Sequence, residues 1–204
     1  MPRSWIVCLV VAIALAAAPA VPAAPAAAFQ GDPAAIAELQ AALEKFNALR
    51  TWRARMTLAG QSVAPIIISS AGPDRTQMTI GAGGAVQQMY ILEGIGTWVQ
   101  QGTQCSRLPG GTSAPGPSRA DADPSARREG TVTVTRGDRQ ILDGVPTQTY
   151  LMTVEAQGRR SQLKYYIDPA ITLPKRMEIQ SERGTLIFDY YDYNAPIVIN
   201  NPPC

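Results

Sequence analysis

Apolar residues recur along this chain with two different periods, and the change falls at Trp52. Before it, Ile36, Leu39, Leu43 and Phe46, joined by Ala42 or Leu49, are three or four residues apart. Glu38, Glu44 and Lys45 fall largely elsewhere, so the segment predicts an amphipathic helix that must lie on something apolar. Asp32 is a natural N-cap and Pro33 suits the first helical position. From Trp52 the period is two: Trp52, Ala54, Met56 and Leu58 alternate with Arg53, Arg55 and Thr57, which predicts a strand with one buried and one wet face. The same rhythm returns in "RTQMTI", "VQQMYILEG", "GTWVQQG", "TVTVTRGDRQILDG", "PTQTYLMTVEAQGRRSQLKYYID" and "LPKRMEIQSERGTLIFDYYDYN". Gly137-Asp138, Asp143-Gly144, Gln157-Gly158 and Arg183-Gly184 are expected turns. About nine to eleven antiparallel strands after one helix predict an α+β fold.

The N-terminus bears on the compartment. Arg3, the apolar run "WIVCLVVAIALAAA" and the small-residue exit "PAVPAAPAAAFQ" predict a signal peptide over residues 1–28, with Ala26 and Ala28 satisfying the cleavage rule. Cleavage near Ala23 and an uncleaved anchor remain alternatives. Cys8 lies inside the apolar run and no cysteine begins the expected mature chain, so lipid attachment is not expected. The expectation is an exported protein, soluble after cleavage, in the periplasm or on the envelope exterior. Residues 29–204 then amount to one domain.

Export changes the reading of the cysteines. Cys105 and Cys204 are left as a pair, most simply a disulfide, with two free thiols or an intermolecular bridge through Cys204 as alternatives. The segment Cys105 to Gly130 is rich in Pro, Gly and Ser and is expected to be a flexible loop. A net charge of +2 gives no field to recruit nucleic acid, and Arg127-Arg128 and Arg159-Arg160 are too small to tether a membrane. A monomer is expected.

Candidate chemistry is thin. The chain has 0 histidines, which excludes Ser-His-Asp and Cys-His arrangements and the commonest transition-metal ligand. No Ser-x-x-Lys spacing involves Lys45, Lys164 or Lys175. "DADP" at Asp121 lacks the rest of a calcium loop, and "GAGG" at Gly81 lacks the helix a phosphate cradle needs. Carboxylates brought together from separate strands stay open. The chain is expected not to be an enzyme, with no catalytic residue, metal or cofactor. What remains is an apolar surplus on one strand face: Trp52, Met56, Leu58, Met78, Ile80, Tyr150, Met152, Met177, Phe188 and Tyr190. Its methionines adapt to variable apolar shapes, so these residues are candidates to line a cavity, against the alternative of an ordinary packed core.

Longer stretches carry a resemblance. "ILDGVPTQTYLMTVEA", "YYIDPAITLPKRME", the aromatic strand into "YNAPIVINNP", the helix leading into "LRTWRARMTL" and "MYILEGIGTWVQQG" occur in an order and spacing that resemble the lipoprotein-carrier superfamily. That group comprises LolA-like carriers and LppX/LprG-like lipid-binding lipoproteins. The resemblance implies a strongly curved antiparallel sheet, a half-open β-barrel, with the N-terminal amphipathic helix over its concave face. It implies a hydrophobic cavity holding lipid or lipoprotein acyl chains, for carriage across the envelope. The alternative within the same fold is an envelope sensor or interaction module that binds a protein or peptide. Phe188 and Tyr190 would line the wall, "PIVI" would be a last strand tied down by Cys204, and Arg53 or Arg55 would be candidates for a lid-locking arginine.

Overall fold

Asp32 begins the helix as its chemistry predicts: its carboxylate accepts from the amide of Ala34 at 2.9 Å. Helix α1 then runs Pro33–Asn47 and buries Ala35, Leu39, Ala42, Leu43 and Phe46. The computed structural model describes residues 28–81, 86–108, 131–156, 159–181 and 184–202. The expected signal segment up to residue 27, the turn residues Gln157, Gly158 and Arg183, and Cys204 lie outside the described residues, as does 109–130 of the expected loop.

Around α1 the period-two segments form twelve strands. These are β1 (Ala28–Gly31), β2 (Thr51–Leu58), β3 (Ile66–Ala71), β4 (Arg75–Ile80), β5 (Gln87–Leu92), β6 (Gly96–Gln101), β7 (Gln104–Leu108), β8 (Thr131–Leu142), β9 (Val145–Ala156), β10 (Arg159–Asp168), β11 (Leu173–Ser181) and β12 (Gly184–Tyr191). They make one curved, unclosed sheet in the order β1-β8-β9-β10-β11-β12-β2-β3-β4-β5-β6-β7. The fold is the expected α+β half-open barrel.

Four details depart from the sequence reading. The sheet is mixed, because β1 pairs parallel with β8 from Ala28↔Thr131 to Gly31↔Val134. Gly31 permits this approach: its φ is +118°, and a Cβ there would stand 2.1 Å from the Val134 carbonyl oxygen. Gly137-Asp138 is not a turn. It is a register shift inside β8, between Arg136 and Arg139, where Gln148 Nε2 donates to the Gly137 carbonyl at 2.5 Å and Thr149 Oγ1 to that of Asp138 at 2.8 Å. Buried side chains thus take up carbonyls that the bulge removes from the ladder. The hairpin closes instead at Asp143-Gly144, where φ values of 50° and 79° suit a tight two-residue turn. Cys105 belongs to β7, not to the loop that follows.

The fourth departure is the tail. "PIVI" joins no ladder. Pro196 and Pro202 have no amide hydrogen, so the segment is held otherwise. Ile197 and Ile199 are buried with Tyr90, flanked by Ala71, Trp98 and Ala195. Arg75 Nη1 donates to the Ile199 carbonyl at 3.0 Å and to Asn201 Oδ1 at 3.2 Å. The tail is a strap across the face of β3, β5 and β6 that looks away from α1.

Candidate functional site

Register sorts every described strand residue onto one of two faces. Across β9 to β2, Tyr150 pairs with Tyr165, Tyr165 with Met177, Met177 with Phe188 and Phe188 with Met56. Paired residues share a face, and this one is the side on which α1 packs. The helix meets β1, β8 and β11, and its buried residues form one core with Trp52, Ala54, Tyr150, Met152 and Tyr190. Phe46 anchors its last turn, with ring centroids 5.3 Å from Trp52 and 5.0 Å from Tyr190.

Along each strand the same face changes character. On β2, Trp52 and Ala54 are buried while Met56 and Leu58 are partly exposed. On β12, Phe188 and Tyr190 are buried and Leu186 is partly exposed. Met177 on β11 is 0% exposed, whereas Ile179 is only partly buried. Ile66 of β3 and Met89 of β5 are likewise partly buried against the core, and Ile80 of β4 is partly exposed. At the end where β2 begins, the sheet is closed by aromatic rings. At the end where β2 finishes, apolar side chains remain partly open to solvent.

All ten candidate lining residues stand on this face, but they divide. Trp52, Met78, Tyr150, Met152, Met177, Phe188 and Tyr190 are buried core. Met56, Leu58 and Ile80 lie at the open end. Beside them stand Ile66 and Met89, to which sequence reasoning assigned no face. "IIISS" is a run of three isoleucines that hides its own alternation, and Met89 sits in a strand read without a face.

The polar contact that ties α1 to the sheet centres on Tyr150. Tyr150 donates to Glu38 Oε2 at 2.5 Å, and Glu38 Oε1 stands 3.5 Å from Arg136 Nη1. Burial, then the hydrogen bond and charge of Glu38, push the Tyr150 hydroxyl pKa above its ordinary value. Burial does the same at Tyr190 and Tyr193, and the Tyr193 hydroxyl donates to the Pro174 carbonyl. These groups stay protonated at neutral pH. Arg53 and Arg55 lie on the opposite face, 2.7 Å from Asp192 and 3.5 Å from Asp189, so neither reaches the helix side. Among the described residues no cluster of three or more Cys, Asp or Glu side chains could hold a metal ion, and no helix is long and apolar enough to cross a membrane. Cys105 stands on the face opposite α1, in register with Gln100.

The sheet order and the helix placement can be compared with solved structures. The lipoprotein LppX of Mycobacterium tuberculosis superposes with a TM-score of 0.61 at 14% identity, over 83% of this chain and 100% of that one. The chain has the fold of LppX. LprF from Mycobacterium bovis gives the same TM-score of 0.61 and 14% identity, over 84% of this chain and 98% of its own. No family model and no curated protein sequence matches.

Proposed function

We propose that this chain is an exported, non-catalytic binding protein that holds lipid or lipoprotein acyl chains against the open end of its apolar sheet face and carries them across the cell envelope. The observation that carries the reading is the gradient along β2, β11 and β12. Residues of one apolar face pass from buried to partly exposed within a few positions. Water on that surface is costly, and each methylene of a bound chain that replaces it contributes about 0.8 kcal/mol. Binding therefore needs no charged or catalytic group. The superposition on LppX, itself a lipoprotein, supports the envelope setting. The expected signal peptide supports export.

The reading is tested by titrating the purified protein with Nile red, an uncharged apolar dye. Saturable binding is expected in the wild type, with a large loss in Met56→Lys, which places an ammonium in the middle of the open surface. Unchanged dye binding in a folded Met56→Lys protein would overturn the assignment of the site. Stoichiometric capture of a protein that binds without lipid would instead favour an envelope interaction module.

A further inference from the structure

At the open end the partly exposed residues form a row across the strands. Ile179 of β11 pairs with Leu186 of β12, and Leu186 with Leu58 of β2. Next to Leu58 on the same face is Met56, paired with Ile66 of β3. One step past the pair Ile67↔Thr79, the register brings Ile66 opposite Ile80 of β4. There the chemistry changes. Ile80 pairs with Gln87 of β5, Gln87 with Gln101 of β6, and Gln101 with Gln104 of β7. Three strands of apolar-to-amide continuity thus follow five apolar ones, and no charged residue belongs to the row. The sequence carries the signal twice, as "VQQ" at Val86 and again at Val99. In each copy one glutamine faces the helix side and the other the strap.

Building on the acyl-binding reading above, we propose that this row takes one acyl chain lying across the strands, with an uncharged polar head against Gln87 and Gln101. The apolar part spans four strand spacings from β11 to β4. That is about 19 Å, the length of an extended chain of roughly fourteen to sixteen carbons. Each glutamine amide both donates and accepts hydrogen bonds, which suits the hydroxyls and ester of a glyceride head. A carboxylate head would lose water with no cation in the row to replace it, so a fatty acid anion is the poorer ligand.

The test is displacement of Nile red from the full chain by 1-monoacylglycerols of increasing length, and by fatty acids of matching length. Affinity is expected to climb with length and level off at about fourteen to sixteen carbons, with each glyceride ahead of its fatty acid. Gln87→Leu with Gln101→Leu should weaken glyceride binding about tenfold relative to dye binding. The inference is overturned if affinity keeps rising well beyond that length, or if the glutamine double variant binds glycerides as the wild type does. Glycerides that fail to displace a bound dye overturn it alone. Absence of dye binding overturns the acyl-binding reading and this inference with it.

Discussion

Phe46→Ala tests how the helix is fastened to the sheet. The ring is 5% exposed and touches both Trp52 and Tyr190 at centroid distances of 5.3 and 5.0 Å. Its ring partners stand on β2 and β12, two strands far apart in sequence, so the space cannot be refilled by a local shift. Truncating a buried phenylalanine in such a setting costs about 3–5 kcal/mol, the lost transfer energy plus the cavity left behind. The two tilted and edge-on ring contacts lie within that figure, at about 0.5–1.5 kcal/mol each. Against a total stability of about 5–15 kcal/mol the loss is large. With a urea dependence near 2–3 kcal/mol per molar, the midpoint should fall by about 1.5 M. Circular dichroism in urea reads this directly, and Phe46→Leu, which keeps most of the volume, should lose under about 1.5 kcal/mol. A loss below about 1 kcal/mol for the alanine variant would refute the aromatic anchor, since an exposed ring costs little to remove.

Three further outcomes follow from particular residues. Gly31→Ala puts a Cβ 2.1 Å from the Val134 carbonyl oxygen at φ +118°, so thermal unfolding should show a loss of more than about 3 kcal/mol; a wild-type melting temperature would contradict the parallel pairing of β1. Burial raises the Tyr190 and Tyr193 pKa values, whereas unfolded tyrosine ionises near pH 10. Above that pH the unfolded state releases protons that the folded state keeps, so stability should be flat below it and then fall by up to about 1.4 kcal/mol per pH unit for each tyrosine; urea curves that stay level at higher pH would contradict their burial. Cys105 faces the side crossed by the strap, and Ile199 is buried in one cluster with Tyr90 of β5, two strands from β7. The five residues from Ile199 to Cys204 can reach about 17 Å, more than the two spacings of about 10 Å, so a Cys105–Cys204 disulfide is expected; alkylation of Cys105 in the absence of reductant, read by intact mass, would exclude it.

The helix and most strands were legible because their signals are local. Asp32-Pro33 marks a helix start, and Trp52 to Leu58 alternates without interruption. Glycines misled where their role was set by a distant partner. Gly137 reads as a turn, yet Gln148 and Thr149 from the next strand make it a bulge. Nothing local marks Gly31, yet it lies against Val134. The tail failed for a similar reason, since "PIVI" has strand residues while its prolines and the Arg75 side chain decide where its carbonyls go.

For the candidate site, period-two reasoning placed ten residues on one face, the side on which α1 packs, but could not order them by depth. Met177 and Ile179 are two positions apart and equally apolar, and only the first is fully buried. Which one is covered depends on how far α1 and the aromatic closure reach, a property of packing between elements that no local pattern encodes. The glutamines were overlooked because a polar residue on an alternating strand is ordinarily assigned to the wet face.

If the open end of the sheet holds acyl chains, a native mass spectrum of the protein purified from a bacterial periplasm will reveal them. Discrete adducts of lipid mass are expected, which disappear on organic extraction and are absent from Met56→Lys. Adducts that are equally abundant in Met56→Lys, or a wild-type protein that stays at its bare mass after incubation with excess lipid, would contradict it.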